Sequence, residues 1–165
     1  MQIKKLLAAC ALGVFCTYGT SAIADWQYTN WQMARDRVVS ASRGKAVALT
    51  PEEQAAHRVQ DVHETVLLKA PYTAGQFSFT AYFRFDDATG RLTNVQLEMM
   101  EPEKGPVLLG NLRAKYGEPA NEKSEAVMDF ANWYVGNDQV SYLAIGGRSA
   151  SVSYQPRITS DNKGL

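Results

Sequence analysis

Gln76-Phe77-Ser78-Phe79-Thr80-Ala81-Tyr82-Phe83-Arg84-Phe85 alternates without a break. Phe77, Phe79, Ala81, Phe83 and Phe85 fall on one side; Gln76, Ser78, Thr80, Tyr82 and Arg84 fall on the other. A repeat of two is the side-chain period of a β-strand, here with one buried and one wetter face. Asp86-Asp87-Ala88-Thr89-Gly90 follows as a hairpin loop with Gly90 at the positive-φ position. Arg91 to Glu101 is the return strand, with Val95, Leu97 and Met99 on one face. Leu92 is out of phase with them, which predicts an irregularity near Thr93 and Asn94. On the other side, Asp61 to Ala70 holds Val62, Thr65, Val66, Leu67 and Leu68, a further strand closed by a turn at Pro71-Tyr72-Thr73-Ala74-Gly75.

Two helices precede this meander. Asn30 can cap a helix starting near Trp31, where Trp31, Ala34 and Val38 keep helical spacing and Gly44 supplies the C′ position. Thr50-Pro51-Glu52-Glu53 combines a cap, a proline suited to the first helical position and a capping-box glutamate, so a short helix should run to His57 or Arg58. Downstream, a third helix starts at Pro106 with Leu109, Leu112 and Tyr116 on one side; Gly117 stops it and Pro119 prevents resumption. Three strands are expected at 127–135, 139–145 and 149–155, separated by Gly136-Asn137-Asp138 and Gly146-Gly147-Arg148. The order ααβββ-αβββ predicts an α+β two-layer sandwich: an antiparallel sheet with helices on one face, in one domain over 25–158. Its halves, 25–102 and 103–158, would be pseudo-repeats, and 159–165 a flexible polar tail.

The N-terminus reads as an export signal. Lys4 and Lys5 precede an apolar run, Leu6 to Phe15, and Ala22-Ile23-Ala24 fits small-x-small cleavage before Asp25. The run falls short of the ~20 residues that span a bilayer, as does every later one, so no transmembrane segment is expected. Leu7-Ala8-Ala9-Cys10 has the form of a lipoprotein box, but it leaves too little apolar sequence before the cysteine. Cleavage after Ala24 removes Cys10 and Cys16, and with them any disulfide or thiol chemistry. The 165 residues carry 17 basic and 17 acidic groups, and 45% are hydrophobic. That is a globular mixture without the basic excess of a nucleic-acid binder. Losing Lys4 and Lys5 makes the mature chain mildly acidic. The expected location is the bacterial periplasm, or outside the cell.

Trp31-Gln32-Met33 with Val38, and Leu112-Arg113-Ala114-Lys115-Tyr116-Gly117-Glu118-Pro119, carry a resemblance to a group of small exported bacterial proteins. Together with the helix-loop-helix and three-stranded meander, they resemble the β-lactamase-inhibitor protein and the outer-membrane assembly-factor lipoproteins. The resemblance implies that fold and a non-enzymatic role, binding other proteins by a sheet face or its loops. The mature chain departs from these relatives in having neither disulfides nor a lipidated cysteine at its start.

Chemistry-bearing residues are few. His57 and His63 lie six apart, not at the i, i+4 spacing of a zinc helix, although Asp61 and Glu64 are near enough to imagine a metal site. No serine stands in a G-x-S-x-G elbow; Ser149, Ser151 and Ser153 simply alternate along a strand. Asp86 and Asp87 lack calcium-loop spacing and suit the turn they occupy. Glu98 and Glu101 would point to opposite faces, unlike a glycosidase pair. Gly146-Gly147 is a turn and not a phosphate loop, and no cofactor motif is present. Aromatic residues remain. Tyr82 and Arg84 share the wetter side of their strand, and of the neighbours Trp133 and Tyr134 one must face outward. Tyrosine, tryptophan and arginine dominate protein-binding hot spots. The expectation is therefore a binding face built on Tyr82, Arg84 and Trp133, taking a protein or envelope component, with no cofactor and no catalysis. Two alternatives stand beside it: a small metal-binding protein or enzyme using His57 and His63, and a carrier of apolar ligands along the Phe-rich strand.

Overall fold

A computed structural model describes residues 26–59 and 62–158. The expected export signal with its cleavage site, Asp61 and the expected C-terminal tail lie outside the described residues. The elements are α1 (Arg35–Ala41), β1 (Val47–Ala48), α2 (Pro51–Ala56), β2 (Glu64–Ala74), β3 (Phe77–Asp86), β4 (Leu92–Met99), a 3-10 turn (Pro102–Lys104), α3 (Gly105–Tyr116), β5 (Asn121–Glu125), β6 (Met128–Val135), β7 (Asp138–Ile145) and β8 (Ser149–Pro156). All the strands form one antiparallel sheet in the order β1-β2-β3-β4-β8-β7-β6-β5.

This corrects the expected two-layer α+β sandwich. Of the described residues 47% are in strand and 21% in helix, so the sheet itself is the architecture and the helices are short accessories. Nor do the helices share one face. The inner face carries Phe77, Phe79, Ala81, Phe83 and Phe85 of β3, Val95 and Leu97 of β4, Val152 of β8, Val140 and Tyr142 of β7, and Ala131 and Trp133 of β6, all buried. Trp26 and Val38 join this core from the N-terminal segment and α1, and Leu108 and Leu112 from α3. Each fully buried Phe, Leu or Val contributes about 1.5–3 kcal/mol.

Helix α2 packs on the opposite, outer face. The register of β2 shifts between Val66 and Leu68, so Val66 pairs with outward Arg84 while Leu68 pairs with inward Phe83. The bulge turns Val66 outward, and Pro51, Gln54, Ala55 and Arg58 line the hollow beside it. The Glu53 carboxylate pairs with Lys69 of β2 and the His57 ring lies 4.2 Å from that of Tyr82, fixing α2 over the β2–β3 end.

Local signals account for other boundaries. Thr50 and Glu53 form the capping box reciprocally. A second register shift, between Arg84 and Phe85, leaves Thr93 as the extra residue between Leu92 and Asn94, the irregularity expected there. Helix α1 starts at Arg35, not Trp31, because Gln32 takes φ 69° and its N–H donates to the Leu92 carbonyl. The indole of Trp31 instead donates to Asp138 at 2.8 Å, tying the N-terminal segment to β7. Strand β2 runs on to Ala74 through the expected turn. Pro71 is tolerated because β1 pairs only with Leu68 and Lys69, leaving an edge there that needs no donor. Strand β5, Asn121-Glu122-Lys123-Ser124-Glu125, is exposed on every residue and has no apolar alternation to betray it.

Candidate functional site

Cross-strand pairing aligns the outer face into rows. One row runs Lys69, Tyr82, Gln96, Ser153, Ser141, Asn132, Asn121 over seven strands from β2 to β5. A parallel row holds Arg84 and Asn94 on β3 and β4, and Gln155, Gln139 and Tyr134 on β8, β7 and β6. A third runs Thr80, Glu98, Ser151, Leu143, Phe130. The face is therefore amide- and hydroxyl-rich, and Gln96, Ser151, Ser153, Ser141, Gln139 and Gln155 are all partly exposed.

Hydrogen bonds between neighbours hold these side chains in place. Arg84 Nη2 donates to Gln96 Oε1 at 3.1 Å, Asn94 Nδ2 to Gln155 Oε1 at 3.2 Å, Gln139 Nε2 to Ser141 Oγ at 3.1 Å and Asn121 Nδ2 to Asn132 Oδ1 at 3.0 Å. Asn94 is 8% exposed, and its Oδ1 has no donor among the described residues. Burial lowers the pKa of the Arg84 guanidinium, with Glu64 opposing the shift, and burial raises that of the Tyr82 phenol, helped by Glu98.

Tyr82 and Arg84 thus stand together on the outer face, partly roofed by α2, with Arg84 Nη1 also donating to the His57 carbonyl at 3.5 Å. Trp133 does not join them. It is 2% exposed on the inner face, its Nε1 donates to the Gly117 carbonyl at 2.8 Å, and its ring packs against Tyr116. The outward neighbour is Tyr134, 43% exposed, with the Arg157 guanidinium 4.3 Å over its ring. Tyr134 lies four strands from Tyr82, roughly 19 Å at the usual strand spacing. The sequence held a signal for it, since the Gln139/Ser141 alternation of β7 must match one parity of β6.

His57 and His63 are not drawn together by a common ligand set. His57 stacks on Tyr82, whereas His63 is exposed in the loop before β2, its carbonyl accepting from Asp87 N–H. Among the described residues no three of His, Cys, Asp and Glu cluster as a metal site, and no helix is long and apolar enough to cross a membrane.

No protein-family model matches the chain, and no curated protein does. Among solved structures it is similar to a DUF4309 family protein, YjgB, from Bacillus subtilis, with a TM-score of 0.44 and 11% identity, covering 75% of this chain and 78% of that one.

Proposed function

We propose that this is an exported, non-enzymatic binding protein that docks a folded protein partner against the outer face of its sheet. The observation carrying this reading is the polar row Tyr82–Gln96–Ser153–Ser141, left partly exposed across four neighbouring strands and continued by Asn132, which is buried. Side chains on paired strands, already bonded to one another, lose little entropy when a partner arrives. Amides and hydroxyls suit a wet, polar interface, while Tyr82 with Arg84 at one end and Tyr134 with Arg157 at the other supply hot-spot residue types. The resemblance stated for Leu112–Pro119 is in keeping with such a role.

The test is crosslinking capture from envelope extract, comparing the wild type with Ser153→Arg, which puts a long charged chain at the centre of the row. Lys115→Ala on α3, over the other face, is the control. A single dominant partner lost only in Ser153→Arg is expected. A partner retained by Ser153→Arg with unchanged affinity, or none captured by the wild type, rejects this function.

A further inference from the structure

A cleft of about 420 Å³ opens between α3 and the inner face of the sheet. It exists because two coverings of that face do not meet. Trp26 packs over Tyr72 and Phe83, and the start of α3 lies against Tyr142 and Ala150. Between them, Phe77, Phe79, Leu97 and Val152 form an apolar floor, walled by Leu108 and Leu112 of α3. Those two leucines are four apart, and so are Asn111 and Lys115, which the same helix brings to the lining. The volume falls within the roughly 300–1,000 Å³ of small-molecule sites.

The electrostatics of the lining are one-sided. Among the described residues, Lys115 is the only charged one in the lining, and no carboxylate lines the cleft. Arg113 is paired with Glu122, but Lys115 has no ion-pair partner among the described residues and leans over the Tyr116 ring at 4.8 Å. Burial pushes the Tyr154 hydroxyl further above its ordinary value. The C-terminal end of α3 contributes about half a negative charge, which the full charge of Lys115 outweighs.

We infer that this cleft binds a monoanionic amphiphile with a single alkyl chain, the chain on the Phe77–Phe79–Leu97–Val152 floor and the anionic head at Lys115 and Asn111. This site lies on the face opposite the proposed protein-docking surface and does not depend on it.

Isothermal titration of the purified protein with decanoate, decanol and decyltrimethylammonium tests it, because the three share a chain and differ in head charge. Decanoate should bind saturably and most tightly. Lys115→Glu should weaken decanoate by about fivefold or more and favour the cationic head, with the melting temperature unchanged. Leu108→Trp should fill the cleft and abolish binding; Ala74→Leu at the rim serves the same purpose should the larger side chain disturb folding. Absence of saturable binding by the wild type, or wild-type affinity in a folded cleft-filling variant, overturns the site. Equal affinity for all three heads overturns the anionic preference.

Discussion

Trp133 and Tyr134 are neighbours in β6 with opposite surroundings, and their replacement should separate stability from recognition. Trp133→Ala removes a buried indole and its bond to Gly117, so it should cost about 3–5 kcal/mol. Tyr134→Ala gives up an exposed ring and one cation–π contact, so it should cost less than about 1 kcal/mol while weakening partner capture. Chemical denaturation of the two variants checks this; equal losses would contradict the placement. The pair also shows what the sequence withheld. Phe130-Ala131-Asn132-Trp133-Tyr134-Val135 puts an aromatic residue on each side, so alternation alone leaves the parity open, and pairing with Val140 and Tyr142 decides it. The uniform Phe77–Phe85 row had no such ambiguity. Gly105 makes a second test at this scale. A Cβ there would sit 2.8 Å from the Tyr142 hydroxyl and 3.3 Å from Ala150 Cβ, so Gly105→Ala should destabilise by about 1–3 kcal/mol. Adding Tyr142→Phe should recover part of that loss in thermal melts. A double variant no more stable than the single would mean that Ala150 is the real obstacle.

Among the elements, α2 is the one most legible in the sequence and least able to stand alone. Its capping box is written in four consecutive residues, but six residues are too few for a helix stable without docking. Docking rests on the Glu53–Lys69 pair and on His57 over Tyr82. The Lys69 hydrogen bond and the Thr50 backbone N–H hold the Glu53 carboxyl below its ordinary value of 4.5. A carboxyl with a lowered folded-state pKa stabilises above that ordinary value, and the contribution disappears as pH falls through the folded one. Hydrogen exchange at the Gln54 and His57 amides should therefore accelerate in acid, after correction for intrinsic rates, and Glu53→Gln should weaken that dependence, leaving the part that comes from Glu52, whose carboxyl is also held below its ordinary value by hydrogen bonds to its own backbone and to Thr50. Thr50→Ala should loosen the same amides by about 1 kcal/mol at any pH. Unchanged protection in acid would show that the ion pair does not hold the helix down. The elements that sequence patterns missed, β1 and β5, are edge strands. One has two exposed residues and the other is polar throughout, so neither carries the burial signal on which pattern reading depends.

At the scale of the whole molecule, strands β1–β4 and β5–β8 each form a run of neighbours, joined where β4 meets β8 over Val95–Glu98 and Ser151–Tyr154. That seam could not be read from the sequence, because its partners lie more than fifty residues apart and nothing local specifies them. The outward position of α2 was equally hidden, since it depends on the bulge at Val66. The seam predicts how the protein unfolds. Val95 and Leu97 are buried on one side of it and Val152 on the other, and the Trp31 indole reaches Asp138 from one run to the other. Separating the halves would uncover these apolar side chains and two strand edges at once, so neither half should persist without the other. Native-state hydrogen exchange should give the most protected amides of β3 and of β7 the same opening free energy, equal to that of global unfolding. Val152→Ala, placed on the seam, should lower both by the same amount. If β7 instead opened at markedly lower free energy than β3, with Val152→Ala affecting β7 alone, the second half would be a separate unit resting on the first, and the rows of the outer face would lose their rigidity at β8.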